Sequence, residues 1–313
     1  MRYVLNRVGQ ALVVLLVAFT LSFVLLQALP GDALLIKFEN PELGLSQTEI
    51  VAIREAYGAD VPLVRQYLDA LGGFLTGDLG YSVQYGTPVA TLIAEALPGT
   101  AALAAAALAL AVLLATTIAA LSVLTPLTWL RGLLRSTPSL FAAVPVFWLA
   151  IVLVQVFSFR LGLVPVIGAS PAQGLVLPVL ALAVPLAAPL AQVLVRSIDE
   201  VSLQPFVAVT AAKGAGPVWL LTRTVARNAV APALTVAGVL LGELIGGAVV
   251  TETVFGRAGI GRLTEQAVAQ QDIPVLQGVV LLAATAFVVV NLVVDLLYPV
   301  LDPRTAKKIG LAA

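Results

Sequence analysis

Charged side chains are missing from long stretches of this chain, and the gaps recur. None falls in residues 8–31, 96–130, 136–159, 161–195 or 273–294, and residues 228–251 hold only Glu243. About 20 apolar residues in a helix cross the hydrocarbon core of a bilayer, and every one of these windows is long enough. The pattern predicts spanning helices over about 8–29, 98–124, 139–159, 174–195, 232–254 and 275–301. The first apolar run is longer than the core of a secretory signal, about 7–15 residues, and no small-x-small cleavage site follows it. It therefore reads as a retained helix. Pro178, Pro185 and Pro189 fall in the fourth window. They read as kinks, because neighbouring helices in a bundle satisfy the carbonyls that proline frees.

Composition agrees with an all-α integral membrane protein forming one domain over 1–313. Hydrophobic residues make up 60% of the chain and charged residues 11%, against about 25% charged in a soluble domain. Seventeen basic and 17 acidic residues cancel, which excludes the basic excess of a nucleic-acid binder. Such hydrophobicity also excludes a disordered chain. Cys and His are absent, which removes disulfides, thiolate nucleophiles, imidazole bases and the usual zinc or haem ligands.

Lys and Arg segregate. With the N-terminus inside, six spans return the C-terminus to the cytoplasm. The inner side then collects Arg2, Arg7, Arg131, Arg135, Arg196, Lys213, Arg223, Arg227, Arg304, Lys307 and Lys308, against Asp199, Glu200 and Asp302. The outer side holds Lys37, Arg54, Arg65, Arg160, Arg257 and Arg262 amid an acidic excess. This predicts both termini in the cytoplasm.

Three loops carry the remaining information. The outer loop, about 30–97, is too long for a simple connector. Ser46-Gln47-Thr48-Glu49 reads as a capping box opening a helix toward Tyr57. Pro62 suits the first turn of a second helix, to about Leu75, before Gly72, Gly73, Gly77 and Gly80 punctuate the chain. The cytoplasmic loop, about 196–231, reads as two short helices around Gly214-Ala215-Gly216-Pro217. Such an elbow lets a partner approach closely. Lys213, Arg223 and Arg227 suit acidic groups on that partner, or serve only to set topology against lipid headgroups. The third segment, Glu252 through Gly259-Ile260-Gly261-Arg262 to Asp272-Ile273-Pro274, is amphipathic and glycine-hinged, as a re-entrant or interfacial piece would be.

Within the spans, Gly238, Gly242 and Gly246 recur every four residues and predict close helix packing. Glu243 is an intramembrane carboxyl and marks a pathway or an interhelical hydrogen bond. Asn291 and Asp295 lie one turn apart on the sixth span. None of the four lysines, Lys37, Lys213, Lys307 and Lys308, is followed by Ser or Thr. A Walker A loop is therefore absent, and this chain is not a P-loop ATPase. An ion-coupled secondary transporter using Glu243 and Asp295 is the other class considered, although six spans without a visible repeat argue against it. An intramembrane enzyme fits poorly, since all lysines lie outside the spans and the two acids sit on different helices.

The segment Phe206 to Pro232 resembles the EAA-type coupling loop of bacterial ABC importer permeases, specifically the first permease of the oligopeptide/dipeptide/nickel group. The matching residues are Phe206, Val207, Ala212, Lys213, Gly214, Arg227, Asn228, Ala229 and Pro232. Ala208 and Ala211 stand where that group usually has arginine, and Pro217 is unusual. Pro30-Gly31-Asp32, Gly77-Asp78-Leu79-Gly80, Leu97-Pro98-Gly99-Thr100, Glu252-Thr253-Val254-Phe255, Gly259 to Leu263 and Asn291 to Arg304 resemble further signatures of the group, in order.

The resemblance implies a type I importer permease in the bacterial plasma membrane. It also implies a second homologous permease, two cytoplasmic ATPases (or one fused) holding ATP and magnesium, and an extracytoplasmic solute-binding protein. This chain itself would bind no cofactor or metal and catalyse nothing. Phe206, Val207, Ala212, Lys213, Gly214, Ala215, Arg223, Arg227 and Asn228 would couple it to the ATPase. Asp78, Glu252, Phe255, Gly259, Gly261 and Arg262 are candidates for an outer gate or a binding-protein contact. Peptides are the expected substrate, with nickel chelates or haem as the alternatives.

Overall fold

The computed structural model describes residues 2–27, 46, 48, 61–165, 168 and 170–301. Its elements are α1 (Arg2–Gln27), α2 (Leu63–Thr76), α3 (Val89–Leu124), α4 (Thr128–Ala142), α5 (Val146–Leu153), α6 (Gln173–Ser202), α7 (Pro205–Ala212), α8 (Pro217–Trp219), α9 (Ala226–Val254), α10 (Ile260–Ala269) and α11 (Ile273–Leu301). π-helical turns at Val154–Arg160 and Leu220–Val225 extend α5 and join α8 to α9. Extended pairing among the described residues is limited to an isolated bridge, Tyr81 to Pro88.

Among the described residues, four helices are long and apolar enough to span a membrane: Leu5–Leu26, Val89–Leu124, Gln173–Ser202 and Ile273–Val293. Two bent pairs raise the number to as many as six. One of them corrects the expectation of a single helix over 139–159. Here Thr128–Ala142 and Val146–Arg160 meet at 102°. The break falls at Pro145, which has no N–H to continue the ladder and opens α5 with its own carbonyl accepting from Leu149 N–H at 3.0 Å. By contrast, α6 runs 30 residues through all three of its prolines. It is the most buried of the four single-helix spans, so tertiary neighbours hold it continuous.

The chain forms two compact units. One comprises Pro98–Arg262 with Met1–Arg7 and Val289–Ala313. Its core joins α3, α6 and α9. Ala107, Ala111 and Ala115 line one face of α3 at four-residue spacing and are fully buried with Leu182, Leu186 and Leu190 of α6 and Leu240 and Leu244 of α9. Small side chains on α3 bring the backbones close, which favours association of spanning helices by packing.

The other unit comprises Val8–Leu97 and Leu263–Val288. In it α2 starts after Pro62, as the sequence indicates, and ends at Gly77 with φ +82°. Asp78 N–H returns to Gly73 O at 2.8 Å, a Schellman-type ending. Gly72 and Gly73 lie inside the helix and do not break it. At Gly73 a Cβ would fall 2.7 Å from Asp78 O, so close return of the chain is what requires glycine there. The turn at 82–85 is fastened to the buried Asp272, which accepts from Ser82 Oγ at 2.5 Å and from the N–H groups of Val83 and Gln84 at 3.3 and 3.2 Å. The capping-box helix expected from Ser46 to Tyr57 lies outside the described residues, apart from Ser46 and Thr48.

Candidate functional site

The cytoplasmic loop forms an elbow with two unlike faces. Pro205 and Pro217 each start a helix in the first turn, where a missing N–H costs nothing. Between them α7 ends at Lys213, and Gly214 takes φ +87°, the left-handed conformation that a Cβ disfavours. The inner face is anchored, because Val207, Leu221, Val225 and Ala229 bury themselves with Ala119 of α3 and Ile198 of α6. The outer face exposes Phe206, Val209, Val218 and Trp219 beside Lys213, Arg223 and Arg227. Those three bases make no ion pair among the described residues. Ala212 and Gly214 are exposed and Ala215 half-buried, while the Asn228 amide turns back to Thr224 O at 2.8 Å. Val209, Val218 and Trp219 did not stand out in the sequence, where apolar residues are everywhere. Only their exposure distinguishes them.

From this elbow α9 runs 29 residues, about 43 Å at 1.5 Å per residue, to a second constellation at its far end. Glu252 there is fully buried. Its Oε1 accepts from Thr100 Oγ1 at 2.6 Å, and its Oε2 accepts from Gly261 N–H at 2.7 Å. Thr100 Oγ1 in turn accepts from Ile260 N–H at 2.8 Å. The Leu97-Pro98-Gly99-Thr100 and Glu252-Thr253-Val254-Phe255 stretches, 152 positions apart at Thr100 and Glu252, thus close into one clasp. Glycine is required three times by close approach. A Cβ on Gly259 would lie 2.3 Å from the Glu252 carboxyl, on Gly99 2.4 Å from Ala258 O, and on Gly261 2.4 Å from Val249 Cα. Arg257 extends the clasp by donating from Nη1 to Gly174 O at 2.9 Å, at the start of α6. It borders a cleft of about 350 Å³ lined also by Pro165, Gln173 and Phe255.

Of the six candidates for an outer gate or binding-protein contact, Glu252, Gly259 and Gly261 are buried in this clasp, where a partner cannot reach them. Phe255 is half-buried, and Asp78 and Arg262 are exposed. Asp78 accepts from Gly80 N–H at 2.9 Å, and Arg262 donates to Gly256 O at 2.8 Å.

The two faces of α9 are equally distinct. Ala233, Leu240, Leu244, Ala248 and Thr251 are buried. Val239, Glu243, Gly246 and Val250, also spaced by three and four, are exposed. α6 comes close at Gly247, where a Cβ would lie 2.5 Å from Leu182 Cδ1. Gly246, expected to pack, has nothing within 4 Å. Gly238 is buried and Gly242 half-buried. The glycine run does mark a bend, 48° between Pro217–Leu240 and Gly242–Val254. Asn291 is half-buried on α11, and the Asp295 side chain lies outside the described residues.

A polytopic helical bundle with an anchored, partner-ready elbow and no nucleotide loop of its own is the architecture of a transporter's membrane subunit. Residues 111–307 match the family described as binding-protein-dependent transport system inner membrane component, and residues 1–104 match the N-terminal region of such membrane components. The chain belongs to this family and is a multi-pass permease subunit of the ABC importer class. It is 36% identical over 310 residues to a Brucella abortus (strain 2308) protein named for a peptide transport system permease, covering 96% of this chain and 98% of that one. It is 32% identical over 308 residues to the glutathione transport system permease protein GsiC of Escherichia coli O6:H1, covering 98% and 100%. Among solved structures, the MetNI methionine ABC transporter in inward-facing conformations matches with a TM-score of 0.57 at 18% identity, over 67% of this chain and 96% of that one. An amino acid ABC transporter matches with a TM-score of 0.53 at 17% identity, over 66% and 93%. These two show the shared fold.

Proposed function

We propose that this chain is one of two homologous permeases of an ATP-driven peptide importer, with both termini cytoplasmic and the elbow seated in an ATPase subunit. The elbow carries the reading: exposed Phe206, Trp219, Lys213 and Arg223 stand on a base buried against α3 and α6. ATP and magnesium act on the partner ATPases, and an extracytoplasmic binding protein delivers the substrate. ATPase closure displaces the elbow, and α9 carries the movement toward the Glu252 clasp, biasing alternating access. The full-length relatives named for peptide and glutathione transport support a peptide substrate. The test is uptake by proteoliposomes holding the chain with its co-purified subunits. Labelled di- to tetrapeptides are expected to accumulate only with ATP inside and binding protein outside. Uptake driven by a proton or sodium gradient without ATP would sink the proposal.

Glu243 belongs to the same reading. An ionisable group within a span is costly against lipid and ordinarily faces protein or water. The exposed Val239–Glu243–Gly246–Val250 face of α9 therefore turns toward the second permease or the pathway. Glu243→Leu is expected to lower uptake by roughly tenfold, the effect on a rate of about 1.4 kcal/mol, with unchanged abundance in the membrane. Unaltered uptake would remove this face from the path.

A further inference from the structure

The helix α2 has two apolar sides. Tyr67 and Phe74 pack on Phe19 and Phe23 of α1, with ring centroids 5.3–5.7 Å apart across the helices. The Tyr67 hydroxyl and Thr20 Oγ1 share a hydrogen bond of 2.9 Å. Val64, Leu68 and Leu75 form a separate stripe at four- and seven-residue spacing and are 73%, 58% and 77% exposed. Arg65 and Asp69, 3.9 Å apart, take the remaining side.

The depth of α2 can be read from the helices it touches. Phe19, Thr20 and Phe23 lie four to eight residues inside the end of α1 at Gln27, about 6–12 Å along its axis. A cleft of about 260 Å³ is walled by Phe19 and Phe74 together with Gln277, Gly278 and Leu281. Those α11 residues lie four to eight positions after its start at Ile273, the same depth measured on an independent helix. Both helices are apolar enough to span, over Leu5–Leu26 and Ile273–Val293. Thus α2 lies beside the spans, within their apolar length, and not as a cap beyond them.

We infer that α2 is a monotopic helix in one leaflet, with Val64, Leu68 and Leu75 against lipid acyl chains and Arg65 and Asp69 toward the headgroups. Leu16, Leu21, Val24 and Leu25 of α1 are likewise exposed, as apolar side chains facing lipid would be. A helix with an apolar face and a charged face settles at that boundary. Burial there holds the following Gly77–Gly80 turn at the membrane surface.

The chain contains no cysteine, so single labels need no prior engineering. Leu68→Cys, Leu75→Cys and Asp69→Cys chains are labelled with bimane in the complete importer, its other subunits freed of cysteine, and reconstituted in phosphatidylcholine with or without brominated acyl chains. Bromine is expected to quench labels at positions 68 and 75 at least about twofold more strongly than at 69. This contrast should persist when the binding protein is added. Equal quenching at the three sites would overturn the inference. Loss of quenching at 68 and 75 on adding the binding protein would assign the stripe to that protein and overturn it as well.

Discussion

Replacing Gly261 by valine is expected to abolish accumulation of the permease in the membrane. The first added atom would lie 2.4 Å from Val249 Cα, 2.8 Å from Val249 N and 2.9 Å from Ala248 O. All three are backbone atoms, so no change of rotamer relieves the overlap. Overpacking a tight interior costs about 1–3 kcal/mol, and more where only the backbone can yield. The same displacement would pull Gly261 N–H from Glu252. Glu252→Ala should be milder. It leaves that buried N–H without its acceptor, at about 1–3 kcal/mol for a buried group left unsatisfied, and frees the half-buried Thr100 hydroxyl. On the scale of about 2–4 °C per kcal/mol for a chain of this size, its thermal midpoint in detergent should fall by about 2–12 °C. Gly246→Ala on the same helix meets open space and should leave the midpoint unchanged or slightly raised. Immunoblots of membranes and midpoints of purified protein check all three. A Gly261→Val chain with normal abundance and midpoint would show that the clasp does not hold the fold.

The second large effect belongs to the elbow, and it should spare the fold. A side chain at Gly214 would meet nothing within 4 Å in this chain, and the backbone strain of a Cβ is confined to an exposed turn, so abundance should change little. Gly214→Trp is nevertheless expected to abolish both uptake and substrate-stimulated ATPase activity in the reconstituted importer, because it places a large ring at the tip that the proposed docking seats in the ATPase. Strain and bulk can be separated. With φ +87° any Cβ is disfavoured by about 1–2 kcal/mol, but asparagine tolerates this conformation best. Gly214→Asn should therefore keep most of the coupling that Gly214→Trp loses. Full activity of the tryptophan variant would remove Gly214 from the docking surface. Because Ala208 and Ala211 provide no charge, the proposed contact would rest more on the exposed Phe206, Val218 and Trp219, and coupling should depend only weakly on salt.

The elbow was legible in the sequence because its signals are local: prolines that start helices, a glycine for the left-handed turn, and bases between apolar windows. The clasp was legible only as separate tetrapeptides. Nothing in Leu97-Pro98-Gly99-Thr100 announces that its threonine meets Glu252, since that pairing depends on which way α3 and α9 turn. Glu252 consequently read as a candidate for an outer gate or a binding-protein contact, and only the structure shows it as a buried acceptor. At the end of the glycine run the contact with α6 falls one position further on, for a related reason. Gly246 and Gly247 are adjacent, about 100° apart around the helix, and only the packing of α6 selects Gly247.

By itself the sequence determined where apolar length permits a span, which segments carry the positive charge, and where the chain must turn between them. Those properties follow from the exclusion of charge from hydrocarbon and from backbone chemistry at proline and glycine, and both act along one dimension. The tertiary structure decided that 139–159 is part of a pair bent by 102° and that α6 runs unbroken through its prolines. It also decided that α2 lies along α1 within the apolar length and that Glu252 faces Thr100. These outcomes depend on which helix face meets which neighbour, and only packing in three dimensions makes that choice.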